Sequence, residues 1–241
     1  ELCGNVKDFT EAFFEFLYGA NFIFGDKTPH YGIHAGIIKK LWPEAKFIHI
    51  YRDGVDVAHS MLGHGGFIKL ISRNIAPEHI DDYMYGKEMA MAAERSINIE
   101  ESLPYWESAI LNIEKGLLPF DENLDHIKVK YEDVVFKPVE EITKIANFLE
   151  IDHDRKALKY AITIPRPFPE KHTVKKLKDD EYARYFNMIK DTMDKFGYPY
   201  NVNINRDLFE TLQELYRGRF NYLLTLKKNI KKFIKILIGK A

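Results

Sequence analysis

Between residues 47 and 62 the chain runs from Phe47-Ile48-His49-Ile50-Tyr51 through an abrupt Arg52-Asp53-Gly54 into Val55-Asp56-Val57-Ala58-His59-Ser60-Met61-Leu62. The apolar run over 46–51 predicts a short strand covered on both faces, the pattern of a strand inside a parallel sheet. Asp53 and Asp56 stand where the unpaired N–H groups of a helix start favour acidic side chains. A strand, a tight turn and a helix in that order commit the chain to an open α/β sheet, whose ligand crevice lies at the carboxyl ends of the strands. Arg52 stands at such an end. Ser60 follows eight residues later, about two turns into the helix. A planar guanidinium and a hydroxyl so spaced can hold one phosphate group from two sides.

The rest of the chain continues the alternation. Helical spacing over 8–18 carries Phe9, Ala12, Phe13, Phe16 and Leu17. A short strand is predicted over 21–25. A helix follows over 31–41 with Ile33, Ile37, Ile38 and Leu41 inward, stopped by Pro43. The stretch 63–77 reads as an irregular, Gly-rich loop suited to substrate. Residues 80–116 read as mostly helical, with a break or kink at Pro104. A third strand over 126–131 precedes a helix over 138–149 that opens on Pro138. A short helix over 154–161, a Pro- and Lys-rich loop over 163–176 and a helix over 179–196, stopped by Gly197, complete the pattern. Strands alternating with helices predict an α/β fold, three layers with a central parallel sheet flanked by helices.

Of the 241 residues, 46% are hydrophobic and 14% aromatic, enough for one large core. Thirty-five Lys and Arg against 36 Asp and Glu leave a net charge of −1, so no global charge argues for nucleic acid as a partner. Cys3 is the only cysteine, which excludes an internal disulfide. No run of 18 apolar residues offers a membrane span. His30 and His34 lie one helical turn apart without a clear third ligand, so no metal is expected. Residues 1–200 read as the α/β domain and 201–241 as a helical extension. Over 222–240 the extension mixes Lys227, Lys228, Lys231, Lys232 and Lys235 with Ile230, Phe233, Ile234 and Leu237 at helical spacing. Two readings stay open for it: a basic amphipathic helix in peripheral contact with an anionic membrane, or a helix packed on the domain or on a second subunit.

Three segments, each at a strand end, carry a resemblance. Arg52 with Ser60 resembles the 3′-phosphate-binding motif of sulfotransferases that use PAPS, the 3′-phosphoadenylyl sulfate donor. Phe24-Gly25-Asp26-Lys27-Thr28-Pro29-His30 resembles the Lys-Thr-Pro element that in this family brings a Lys to the transferring group. Val129-Lys130-Tyr131-Glu132-Asp133, followed by Lys137-Pro138, resembles the family's strand ending in Tyr-Glu-Asp. The resemblance spans about 22–198 and implies a sulfotransferase or P-loop NTPase-like fold. It also implies PAPS as donor, the bisphosphate PAP as product and no metal. Arg52 and Ser60 then take the 3′-phosphate, Tyr131 lies against the adenine, and Lys27 serves the transferring sulfuryl group. Asp26 and His30 compete for general base, since the family's His position is here Pro29. Lys171, with Arg166 and Lys175, occupies the place of a later basic loop that touches the nucleotide.

Each of these residues also has an ordinary reading. Arg52 could cap a helix, Ser60 could bond back to its own chain, and Asp26 could cap a turn. The family's Gly-rich phosphosulfate loop has no counterpart. Gly4-Asn5 and Gly65-Gly66 lack its Lys and Ser/Thr companions, and only 26 residues precede Lys27. The expectation is that an N-terminal portion precedes Glu1; the alternative is a non-catalytic relative. A P-loop kinase is disfavoured by the lack of a Gly-Lys-Ser/Thr loop. The acceptor, a hydroxyl or amine of a carbohydrate, lipid or small molecule, leaves no readable pattern.

Overall fold

The computed structural model describes residues 5–19, 23–28, 31–80, 95–151, 177–198 and 200. The expectations for His30, for the helix over 154–161, for the loop that carries Lys171 and for the extension over 201–241 lie outside these residues.

Two parallel strands form the sheet, β1 (Phe47–Tyr51) and β2 (His126–Lys130), in register from Phe47 opposite His126 to Tyr51 opposite Lys130. Parallel neighbours need a long crossover. Here it contains α3 (Gly54–Met61), α4 (Gly65–Ser72), a 3₁₀ turn (Pro77–His79) and α5 (Ile99–Leu117). Ahead of β1 lie α1 (Val6–Tyr18), a 3₁₀ turn (Tyr31–His34) and α2 (Ala35–Leu41). After β2 come α6 (Tyr131–Phe136), α7 (Pro138–Phe148), α8 (Asp179–Met188) and α9 (Lys190–Lys195). This is the α/β architecture with a parallel sheet that the alternation predicts.

The helix starts obey local chemistry. Asn5 caps α1 by accepting from Asp8 N–H, Asp53 caps α3 through Asp56 N–H, and Asn98 with Glu101 forms a reciprocal capping box on α5. The core joins Val55 and Ala58 of α3, Leu103, Trp106 and Ile110 of α5, Tyr182 and Phe186 of α8, and Ile189 and Met193. Packing is closest where glycine permits it. A Cβ on Gly116 of α5 would stand 2.4 Å from the carbonyl oxygen of Gly32, so backbone meets backbone there.

Several expectations change. Residues 65–72 form a helix rather than a loop, because Leu70 and Ile71 bury one face and the two glycines stand in its first turn, not its interior. Pro104 sits inside an unbroken α5: Leu103, Tyr105 and Trp106 are buried around it, and that burial outweighs the roughly 3 kcal/mol that an interior proline costs. The helix expected over 179–196 is two helices, because Ile189 leaves helical geometry (φ −127°) and buries its side chain. The described residues of the strand expected over 21–25 pair with no other strand; Phe24 instead stacks on Phe14 of α1 at 4.5 Å. Phe9, Phe13 and Phe16 face solvent, as does Ile37, which is 59% exposed; Ala35 takes the inward place on α2. Ile50 is 56% exposed, so β1 is not covered on both faces throughout.

The covered face of β1 is not apolar. His49 and Lys128 stand opposite each other across the strands and both meet Glu114 of α5. His49 Nδ1 lies 3.3 Å from one carboxylate oxygen and Lys128 Nζ lies 2.8 Å from the other. His49, above all, and then Lys128 hold the Glu114 carboxyl down at about 2, against the burial that opposes its charge.

Candidate functional site

The β1–α3 turn builds the site. Asp53 closes the turn twice: its Oδ1 accepts from Asp56 N–H at 3.0 Å, and its Oδ2 accepts from the buried Tyr182 hydroxyl at 3.2 Å. Gly54 opens α3 against the Trp106 ring, where any Cβ would stand 2.6 Å from the ring and 2.8 Å from Ile189. Its N–H points at Met193 Sδ, 3.4 Å away. Arg52 directly precedes this corner, at the carboxyl end of β1.

Arg52 is held from two sides. Its Nη2 donates to Asp56 Oδ2 at 2.8 Å, and its guanidinium lies 4.9 Å from the centre of the Tyr131 ring. Tyr131 is the first residue of α6, directly after β2. The parallel register places Tyr51 beside Lys130, so Arg52 and Tyr131 leave adjacent strand ends together. The arrangement is a partly exposed cation over an aromatic face at the carboxyl end of the parallel strands.

Carboxylates surround the turn. Glu132 Oε1 accepts from the backbone N–H of Asp53 at 3.2 Å, and Glu132 Oε2 accepts from the Tyr198 hydroxyl at 2.6 Å. Lys130 Nζ lies 3.8 Å from the Tyr198 ring centre and donates to Gly197 O at 3.0 Å. Burial, then the neighbouring Asp56, pushes the Asp53 carboxyl up to about 7. Burial, then Glu132, raises the Tyr198 hydroxyl far above its ordinary range, so it stays a neutral donor. Burial also raises Tyr131.

Of the residues singled out from sequence, Arg52 and Tyr131 are brought into direct contact. Ser60 lies on α3, exposed, in the helix that Arg52 precedes. Asp26 and Lys27 are exposed on the 23–28 segment, where Thr28 Oγ1 donates to Asp26 Oδ2 at 3.4 Å. Sequence reasoning missed Glu132, Tyr182 and Tyr198 as members of the constellation, and saw Asp53 and Asp56 only as helix-start residues. Glu132 was visible beside Tyr131. Nothing local marks Tyr182 or Tyr198, which reach the turn only through the folding of α8 and α9.

The sulfotransferase family model matches residues 5–155, more than half of the chain, and the chain belongs to that family. Among curated proteins it is similar to a Caenorhabditis elegans protein described as "Putative protein-tyrosine sulfotransferase". The two are 29% identical over 138 residues, covering 56% of this chain and 42% of the worm protein, so the chain spans less than half of that relative's length. Among solved structures it is similar to the sulfotransferase domain from the curacin biosynthetic pathway, with 14% identity and a TM-score of 0.44 over 86% of this chain and 66% of that one.

Proposed function

We propose that this chain carries the nucleotide site of a sulfotransferase that transfers a sulfuryl group from PAPS to an acceptor hydroxyl or amine, leaving PAP. The observation that supports it most is Arg52, at the carboxyl end of β1, stacked on Tyr131 from the end of the neighbouring strand. A nucleotide with a 3′-phosphate needs a fork-shaped cation beside a ring that can meet a base. Arg52 and Tyr131 supply both from adjacent strand ends, and Ser60 adds a hydroxyl from α3. Lys171 would add a further cation. The Asp56 carboxylate, 2.8 Å from Arg52, pre-orients the guanidinium and is the group a phosphate would share it with.

PAPS supplies an activated sulfuryl group whose transfer is an in-line displacement, close in logic to phosphoryl transfer. Two tasks remain for the protein. A cation must meet the charge that develops on the bridging oxygen, and Lys27 takes that role. A base must receive the acceptor's proton, and Asp26 and His30 are the candidates. The worm relative's description favours one acceptor in particular, the phenolic hydroxyl of a tyrosine in a peptide.

Calorimetric titration of the chain with adenosine 3′,5′-bisphosphate, 5′-AMP and ATP tests the donor site. Preference for the bisphosphate is expected. Preference for ATP would replace this reading with a kinase, and silence towards all three would leave the fold without this chemistry.

A further inference from the structure

Glu132 bonds two positions that are distant from it, and from each other, in sequence. One carboxylate oxygen receives the Asp53 N–H, which belongs to the peptide unit leaving Arg52. The other receives the Tyr198 hydroxyl. Glu132 itself directly follows Tyr131. A single side chain therefore ties the backbone beneath Arg52 to the first turn of the helix that presents Tyr131. Its own orientation is fixed from behind. Tyr198 is buried, Lys130 lies over its ring at 3.8 Å, and the same ammonium bonds Gly197 O. Bonds that engage a carboxylate are stronger than neutral ones, and both oxygens are engaged here. A long, four-torsion side chain such as Arg52 can be aimed at a ligand only if the backbone that launches it is held.

We infer that Glu132 is a positioning residue that sets Arg52 relative to Tyr131, and so sets the protein's preference for a nucleotide bearing a 3′-phosphate. Tyr198 is its fixed anchor. The inference rests on the proposed nucleotide site. It adds a residue that need not touch the nucleotide at all.

The test is the ratio of affinities for adenosine 3′,5′-bisphosphate and 5′-AMP, measured by calorimetry on the full chain beside a thermal melt. Glu132→Ala removes both acceptors and is expected to lower that ratio roughly tenfold, the equivalent of one lost charge-assisted bond, while 5′-AMP binding changes little. Glu132→Gln keeps an acceptor for Asp53 N–H and an amide that can donate to the Tyr198 oxygen, so it is expected to retain the ratio. Equal loss for both nucleotides in Glu132→Ala, with a lowered melting temperature, would reduce Glu132 to a structural bond and overturn the inference. An unchanged ratio would overturn it too. Should Glu132→Ala not fold, Tyr198→Phe decides: a selective loss of the bisphosphate supports the inference and an unchanged ratio overturns it. A wild-type chain with no preference for the bisphosphate is a different failure, because it removes the Arg52 reading and this inference with it.

Discussion

Arg52 reaches its place through three separate constraints: a strand that ends, a glycine that lets the next helix start against Trp106, and a carboxylate four residues on. The proposal that it reads a 3′-phosphate makes a selective prediction. Arg52→Ala should weaken binding of adenosine 3′,5′-bisphosphate by about 1.5–3 kcal/mol, the usual worth of a hydrogen bond to a charged group, and leave 5′-AMP nearly unaffected. Titration of both nucleotides checks it, and equal losses would remove the 3′-phosphate role. Lys27 is exposed on its segment, and the proposal has it meet charge only during transfer. Lys27→Ala should therefore lower turnover far more than nucleotide affinity; steady-state kinetics beside calorimetry separates the two.

At the scale of elements, the β1–α3 corner carries the close packing and the β1–β2–α5 junction the charge. Gly54 is the first residue of α3 and has no room for a side chain, so Gly54→Ala should cost about 1–3 kcal/mol through overpacking against Trp106, read as a lowered denaturation midpoint. The junction is electrostatic. Glu114 is held down at about 2 by His49 and Lys128. A carboxyl depressed in the folded state stabilises the fold above its ordinary pKa of about 4.5 and loses that contribution as pH falls towards about 2. Acid unfolding should therefore steepen between these values. In Glu114→Gln that steepening should flatten, at a stability cost near neutral pH from leaving Lys128 without its anion.

At the scale of the whole molecule, the buried Asp53 works the other way. Asp53 is raised to about 7 from an ordinary 3.8, chiefly by burial. Between these values the folded chain keeps a proton that the unfolded chain has released, so this group makes stability fall as pH rises from about 4 to 7. Asp53→Asn preserves the cap, because asparagine caps as well as aspartate. It should reduce the fall in melting temperature between pH 5 and pH 8; an unchanged slope would mean that Asp53 ionises normally.

The chain's own pattern determined the strand-turn-helix unit at β1 and α3, the parallel pairing of β1 with β2 and the place of Arg52 at a strand end. Apolar runs, caps and the Arg-Asp turn act over a few residues, and those forces are written locally. Arg52 and Tyr131 were legible for that reason, each standing at a strand end. What surrounds them was not. Glu132 on Asp53 N–H, Tyr182 on the Asp53 carboxylate, and Tyr198 on Glu132 join positions 79, 129 and 66 residues apart. No local spacing encodes a bond between such positions. The same holds for the helix at 65–72, for Pro104 inside an unbroken α5, and for a charged rather than apolar contact between β1 and α5. In each case burial against a distant element, decided only when α5, α8 and α9 close over the sheet, outweighed the short-range preference that the sequence displays.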